Sequence, residues 1–157
     1  MATDSTLTLD RQLCFALYNA SKAFTNLYRP LLDDLGLTYP QYLVMLVLWE
    51  RESLTVKELG SALRLDSGTL SPLLKRLEAR GLLNRRRTVE DERSVAVAIT
   101  DDGRALRQRA GGIPERIVSA TGMQVAEAIE LRTTLHELTS ALDAAARRES
   151  EERETQR

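Results

Sequence analysis

Two side chains with nucleophilic or acid–base chemistry occur once each in this 157-residue sequence, Cys14 and His136. A lone thiol excludes an intrachain disulfide framework and any Cys–Cys metal site, and a lone imidazole excludes a multi-histidine zinc centre. No metal or cofactor is therefore expected. The thiol has suggestive neighbours. Tyr18 follows Cys14 by four residues and Arg11 precedes it by three, so both share its face if the segment is helical. All four tyrosines (Tyr18, Tyr28, Tyr39, Tyr42) fall in one short stretch. A hydrogen bond to a charged acceptor contributes about 1.5–3 kcal/mol, so phenolic donors favour a thiolate, whereas apolar burial favours the thiol. A thiolate so held attacks a peroxide oxygen and becomes sulfenic acid. On residue type alone, a cysteine on an amphipathic helix is ordinarily a small core hydrophobe. His136, in the last apolar-periodic segment, reads as a surface or dimer-face residue.

The second constellation is one of charge. Lys+Arg number 22 and Asp+Glu 23, giving a net charge of −1 and a pI near 5.9. Yet Ser53 to Thr88 holds eight basic residues against three acids, a basic module on an acidic frame.

These residues need elements to hold them. Leu13, Leu17, Ala20, Phe24, Leu27 and Leu31 recur at helical steps, predicting a first helix from Leu9 to about Leu35 with Asp10 or Thr8 as cap. Thr38-Tyr39-Pro40 opens a second, largely buried helix from Gln41 to Arg51. Two short helices follow, Val56 to Leu63 and Ser67 to Arg80, joined by Arg64-Leu65-Asp66 and closed by Gly81. Pro72 is awkward inside the second of these. Either the helix starts at Ser67 and tolerates it, or Ser71 is the cap and Pro72 the first helical residue. The earlier start is preferred, because it gives the polar cluster a helix N-terminus. Leu82 to Thr88 and Ser94 to Ile99 read as a β-hairpin around Val89-Glu90-Asp91-Glu92-Arg93. Thr100 caps a further helix, interrupted at Gly111-Gly112-Ile113-Pro114, and a last helix covers about Val125 to Arg148. Glu149 to Arg157 lacks any apolar residue and is expected to be frayed or disordered.

A helix-turn-helix followed by a basic hairpin has a mechanical use: the second helix enters a major groove while the hairpin, or wing, lies on neighbouring phosphates or the minor groove. The candidate DNA contacts are Thr55 before the first short helix, and Asp66, Ser67, Gly68, Thr69, Ser71 and Pro72 in the first turns of the second. Lys75 and Arg76 lie a turn or two later. Arg85, Arg86 and Arg87 sit on the first wing strand, where alternation turns one away from its neighbours. Asp91 and Arg93 sit at the wing tip, as a pair that would hold Arg93 for the minor groove.

Leu54 to Thr100, with its Asp91-Glu92-Arg93 wing, resembles the multiple antibiotic resistance regulator (MarR) family of winged-helix repressors, and the resemblance extends over about residues 5 to 145. The run Leu65-Asp66-Ser67-Gly68-Thr69-Leu70-Ser71-Pro72-Leu73-Leu74-Lys75-Arg76-Leu77-Glu78, and Leu13-Cys14-Phe15-Ala16-Leu17-Tyr18, are similar to the organic hydroperoxide resistance regulator branch. The resemblance implies a homodimeric repressor on a pseudo-palindromic double-stranded DNA operator, with the N-terminal cysteine sensing organic hydroperoxides. It also implies that two tyrosines, matching Tyr28 and Tyr39 with Tyr18 nearby, hydrogen-bond that cysteine across the dimer interface. Some members of the branch carry a second, resolving cysteine. This chain has none, which implies the one-cysteine type and resolution by a small cellular thiol.

The expected fold class is mainly α with a small β-hairpin wing (α+β). A dimerisation helix (residues 1–35) leads into a winged helix-turn-helix lobe (36–100), dimerisation helices (101–148) and a tail (149–157). Its longest apolar run, Leu43 to Trp49, is far short of the roughly 20 residues that cross a bilayer. With no visible export signal, a cytoplasmic location is expected, where a lone thiol stays reduced. Two other readings stand beside the sensor. One is a winged-helix repressor released by a small phenolic ligand, with Cys14 structural. The other is a thiol peroxidase, which the missing resolving cysteine and second histidine disfavour, so no enzymatic activity is expected.

Overall fold

The computed structural model describes residues 7–87 and 94–155. The chain divides into two compact units, the first ending at Ile113 and the second beginning at Pro114.

The first unit opens with a single 3-10 turn, Leu9–Arg11, and then helix α1, Leu13–Asp33. Neither expected cap starts α1. Thr8 precedes the tight turn, Asp10 lies within it, and Gln12 is extended, so the helix begins beyond both. At the far end Gly36, at φ +63, reverses the chain. The amides of Gly36 and Leu37 donate back to the carbonyls of Asp33 and Leu32 at 2.9 and 3.1 Å, closing a Schellman turn. Leu32 is the only buried residue of α1, and Leu13, Phe24 and Leu27 stand exposed.

Helix α2, Tyr39–Arg51, starts behind Thr38, the cap expected from the sequence, in a reciprocal cap with Gln41 and with Pro40 in its first turn; its Tyr42, Val44, Met45 and Leu48 form the centre of the core. Glu52, at φ 58, then turns the chain into strand β1, Ser53–Thr55. Three residues are too few to show a period, which is why the sequence reads as a two-stranded hairpin. β1 pairs antiparallel with β3 (Val95–Ile99), which pairs in turn with β2 (Leu83–Arg87), giving a three-stranded sheet in the order β1-β3-β2.

Helices α3 (Val56–Leu63) and α4 (Ser67–Ala79) lie where the caps and Gly81 place them. Pro72 sits inside α4, which begins at Ser67 behind the Asp66 cap, so the alternative start at Ser71 is not adopted. Leu59, Leu70, Leu74 and Leu77 join the core with Leu83 and Val97 of the sheet. Helix α5, Asp101–Ala110, is capped by Thr100 as predicted. Its Gly103 is required by close approach, because a Cβ there would lie 2.2 Å from the Leu82 carbonyl oxygen. That closeness lets the indole Nε1 of Trp49 donate to the Gly103 carbonyl at 2.8 Å.

α6 (Ile113–Thr121) follows the Gly111-Gly112 break, and most of it belongs to the second unit together with α7 (Val125–Thr155). α7 carries Glu149 to Thr155 as helix, where the sequence predicted a frayed tail. Its strong helix formers and the spacing of Arg148 with Glu152 and Glu149 with Arg153 account for this. No residue of α7 is buried, and Val125, Ile129, Leu131 and Leu142 are exposed.

Candidate nucleic-acid interface and thiol site

The turn between α3 and α4 is set by two residues. Arg64 adopts the left-handed conformation at φ 56, and Gly60 is crowded by the Leu65 carbonyl, 2.9 Å from where a Cβ would stand. Thr55 forms a reciprocal cap at the start of α3, its hydroxyl donating to Glu58 Oε2 at 2.8 Å and accepting the Glu58 amide at 3.2 Å. Asp66 caps α4 as an acceptor only, from the Thr69 amide at 2.8 Å and the Thr69 hydroxyl at 3.0 Å. These bonds hold the Asp66 carboxyl below the usual aspartate range. Asp66 and Thr69 are thus committed to building the helix N-terminus. Ser67, Gly68, Ser71, Pro72, Lys75 and Arg76 are exposed, on the side of α4 away from Leu70, Leu74 and Leu77.

The three wing arginines differ. Arg85 is half-buried and gripped by Glu78 of α4: its Nε and Nη2 donate to Oε2 at 2.9 and 2.8 Å, and its backbone amide donates to Oε1 at 2.9 Å. The same contacts keep the Glu78 carboxyl below its ordinary range. Its guanidinium is therefore engaged within the lobe. Arg86 and Arg87 are exposed at the outer end of β2. Asp91 and Arg93 lie outside the described residues. A cleft of about 430 Å³ separates the helices from the wing, walled by Lys57, Ser67, Ser71, Leu74, Arg85 and Val95. Lys57 and Glu78 were not singled out in the sequence. An acid and a base seven residues apart, across the end of a helix, carry no local signal.

The thiol lies at the opposite end of α1 from this lobe's junction with the helix. Cys14 is free and exposed. Tyr18, 57% exposed, is one turn further on, with Lys22 Nζ 5.2 Å from its ring centroid. Tyr28 is fourteen positions along α1, about 21 Å at 1.5 Å per residue. There it joins a different cluster: its ring lies 4.7 Å from that of Tyr39 and 5.7 Å from that of Tyr42, which meets Trp49 edge-on at 6.1 Å. Burial, then the neighbouring phenols, push Tyr28 up to about 12, and burial raises Tyr39 and Tyr42 as well. These phenols keep their protons at neutral pH and remain hydrogen-bond donors. Tyr28 and Tyr39 therefore cannot reach the Cys14 of their own chain. His136 is exposed on α7. Among the described residues no group of His, Cys, Asp or Glu could hold a metal ion, and no helix is long and apolar enough to cross a membrane.

A capped helix-turn-helix whose second helix presents hydroxyls and cations, backed by a three-stranded wing sheet, defines a winged-helix DNA-binding transcriptional regulator. A profile of the transcriptional regulators SarA/Rot matches residues 26–109. The organic hydroperoxide resistance transcriptional regulator of Bacillus subtilis is 48% identical over 136 residues, 87% of this chain and 92% of that protein. The chain belongs to the MarR family of winged-helix regulators, in its organic hydroperoxide resistance regulator branch. The regulator TtmR of Methylorubrum extorquens is 51% identical over 143 residues, covering 91% of this chain and 73% of the relative. Among solved structures, reduced AbfR bound to DNA, a Staphylococcus epidermidis protein, superposes with a TM-score of 0.77 at 35% identity. That match covers 89% of this chain and 96% of AbfR.

Proposed function

We propose that this DNA-binding regulator is a homodimeric repressor that senses organic hydroperoxides through Cys14 and releases its operator when oxidised. The carrying observation is the separation on α1: an exposed thiol at one end, and a cluster of protonated phenols about 21 Å away at the other. A second copy related by twofold symmetry brings its own cluster to the first copy's thiol, which one chain alone cannot do. The exposed apolar residues of α1 (Leu13, Phe24, Leu27) and of α7 (Val125, Ile129, Leu142) supply surface for that pairing. The names of its relatives support the reading: one is an organic hydroperoxide resistance regulator, and AbfR has been solved in reduced, overoxidised and disulfide forms.

The chemistry balances with one thiol. The Cys14 thiolate attacks the hydroxyl oxygen of R–O–O–H, the O–O bond breaks, and the departing alkoxide takes a proton to become an alcohol. The resulting sulfenic acid condenses with a small cellular thiol, losing water and leaving a mixed disulfide. Added bulk in a close-packed seam cannot be absorbed, so the two reading heads leave the spacing of about 34 Å that successive major grooves require. Ser67, Ser71, Lys75 and Arg76 read the groove and adjoining phosphates, with Arg86, Arg87, Asp91 and Arg93 as the further DNA contacts. A reduced resting thiol suits the cytoplasm.

The test is fluorescence anisotropy on the protein's own promoter DNA, titrating an organic hydroperoxide with a small thiol. Wild type should be released and Cys14→Ser should stay bound. Retention of both, with release by an aromatic acid, would replace this reading with that of a ligand-responsive repressor.

A further inference from the structure

The Schellman turn at the end of α1 satisfies the carbonyls of Leu32 and Asp33 but leaves those of Asp34, Leu35 and Gly36 at the negative end of the helix. Two arginines from elsewhere in the fold meet all three. Arg80, the residue that ends α4, donates through Nη2 to the Leu35 carbonyl at 3.0 Å and through Nη1 to the Gly36 carbonyl. Arg109 of α5 donates to the Asp34 carbonyl. The fit over Gly36 is tight: a Cβ there would stand 3.0 Å from Arg80 Nη2.

From this geometry we infer that Arg80 is a positioning residue for DNA binding, fixing the DNA-reading helix α4 to the end of α1. Its planar fork spans two successive carbonyls at once, which sets an angle as well as a distance; a lysine ammonium is a single point donor and sets neither. α1 runs continuously for 21 residues, about 31 Å, with Pro30 inside its last turn. A tilt of the helix at its Cys14 end is therefore delivered through Arg80 to α4. This last step rests on the redox reading above; the positioning role does not.

The experiment uses the full chain and two duplexes, the promoter site and a scrambled sequence, with anisotropy measured across a salt series for wild type, Arg80→Lys, Arg80→Gln and Arg109→Gln. Positioning is supported if Arg80→Lys, charge intact, lowers the specific-to-scrambled affinity ratio about tenfold with an unchanged salt slope. Arg109→Gln, which leaves α4 tethered, should keep the ratio. A ratio unchanged in Arg80→Lys overturns the inference. So does a slope that flattens by about 0.9 in Arg80→Gln and recovers in Arg80→Lys, which would make Arg80 a phosphate contact. Circular dichroism distinguishes either outcome from unfolding, and Arg80→Lys serves if Arg80→Gln fails to fold. Adding hydroperoxide separates the two readings. Wild type that is not released overturns the sensor and leaves the ratio test intact, whereas wild type released beside an unresponsive Arg80→Lys supports the coupling.

Discussion

The winged lobe and the thiol-bearing end of α1 handle their polar and apolar groups in opposite ways. In the lobe, the groups that frame the fold are paired: Thr55 with Glu58, Asp66 with Thr69, Arg85 with Glu78, Thr100 with the Gly103 amide, Trp49 with the Gly103 carbonyl. At the N-terminal end of α1 the thiol is open, Tyr18 stands out in solvent and Leu13 is uncovered, and Phe24 is exposed midway along the helix. The lobe is finished as a single chain. The N-terminal end of α1 is left open. A region that completes its own contacts holds its shape alone, and under the proposed reading the one left open is completed by a second chain.

The contrast can be broken most forcefully from the lobe side. Leu59→Ala removes a fully buried side chain and should cost about 2–5 kcal/mol in chemical denaturation. Phe24→Ala on α1 should leave the melting of the isolated chain almost unchanged and instead raise the dimer dissociation constant in analytical ultracentrifugation. Equal effects of the two on chain stability would dissolve the distinction. Next in size, Thr100→Ala deletes the α5 cap and should cost about 1 kcal/mol. The smallest effect concerns acid. Glu78 sits below its ordinary range in the fold, so its stabilisation is complete above the unfolded value of about 4.3 and is lost as pH falls through the lower folded value. Glu78→Gln should therefore flatten the acid limb of a stability–pH curve while leaving the neutral region comparatively unaffected in slope.

How far the fold could be read in advance follows the same division. The bounds of α3 and the start of α4 were legible because Thr55 and Asp66 are cap residues with the right partners downstream, and Gly81 marks the stop. β1 was not, since three residues show no alternation. The Arg85–Glu78 grip and the Arg80 contact with α1 were not either, because pairings that cross from one element to another leave no local periodicity. The Glu149–Thr155 extension was misread because charge density resembles disorder in composition while its spacing favours helix. For the candidate site, the basic surface and Cys14 were legible as residue types. What sequence could not supply was the packing of Tyr28 against Tyr39 and Tyr42, and of Tyr42 against Trp49, across two helices.

Trp49 is the only tryptophan of the chain, and its indole is pinned between α2 and α5 with Tyr42, Tyr28 and Tyr39 ranged beside it. The protein thus carries its own optical relay. Light absorbed by the tyrosines should emerge as tryptophan emission, so a label-free spectrum would register any shift of Tyr28, Tyr39 or Tyr42 against Trp49.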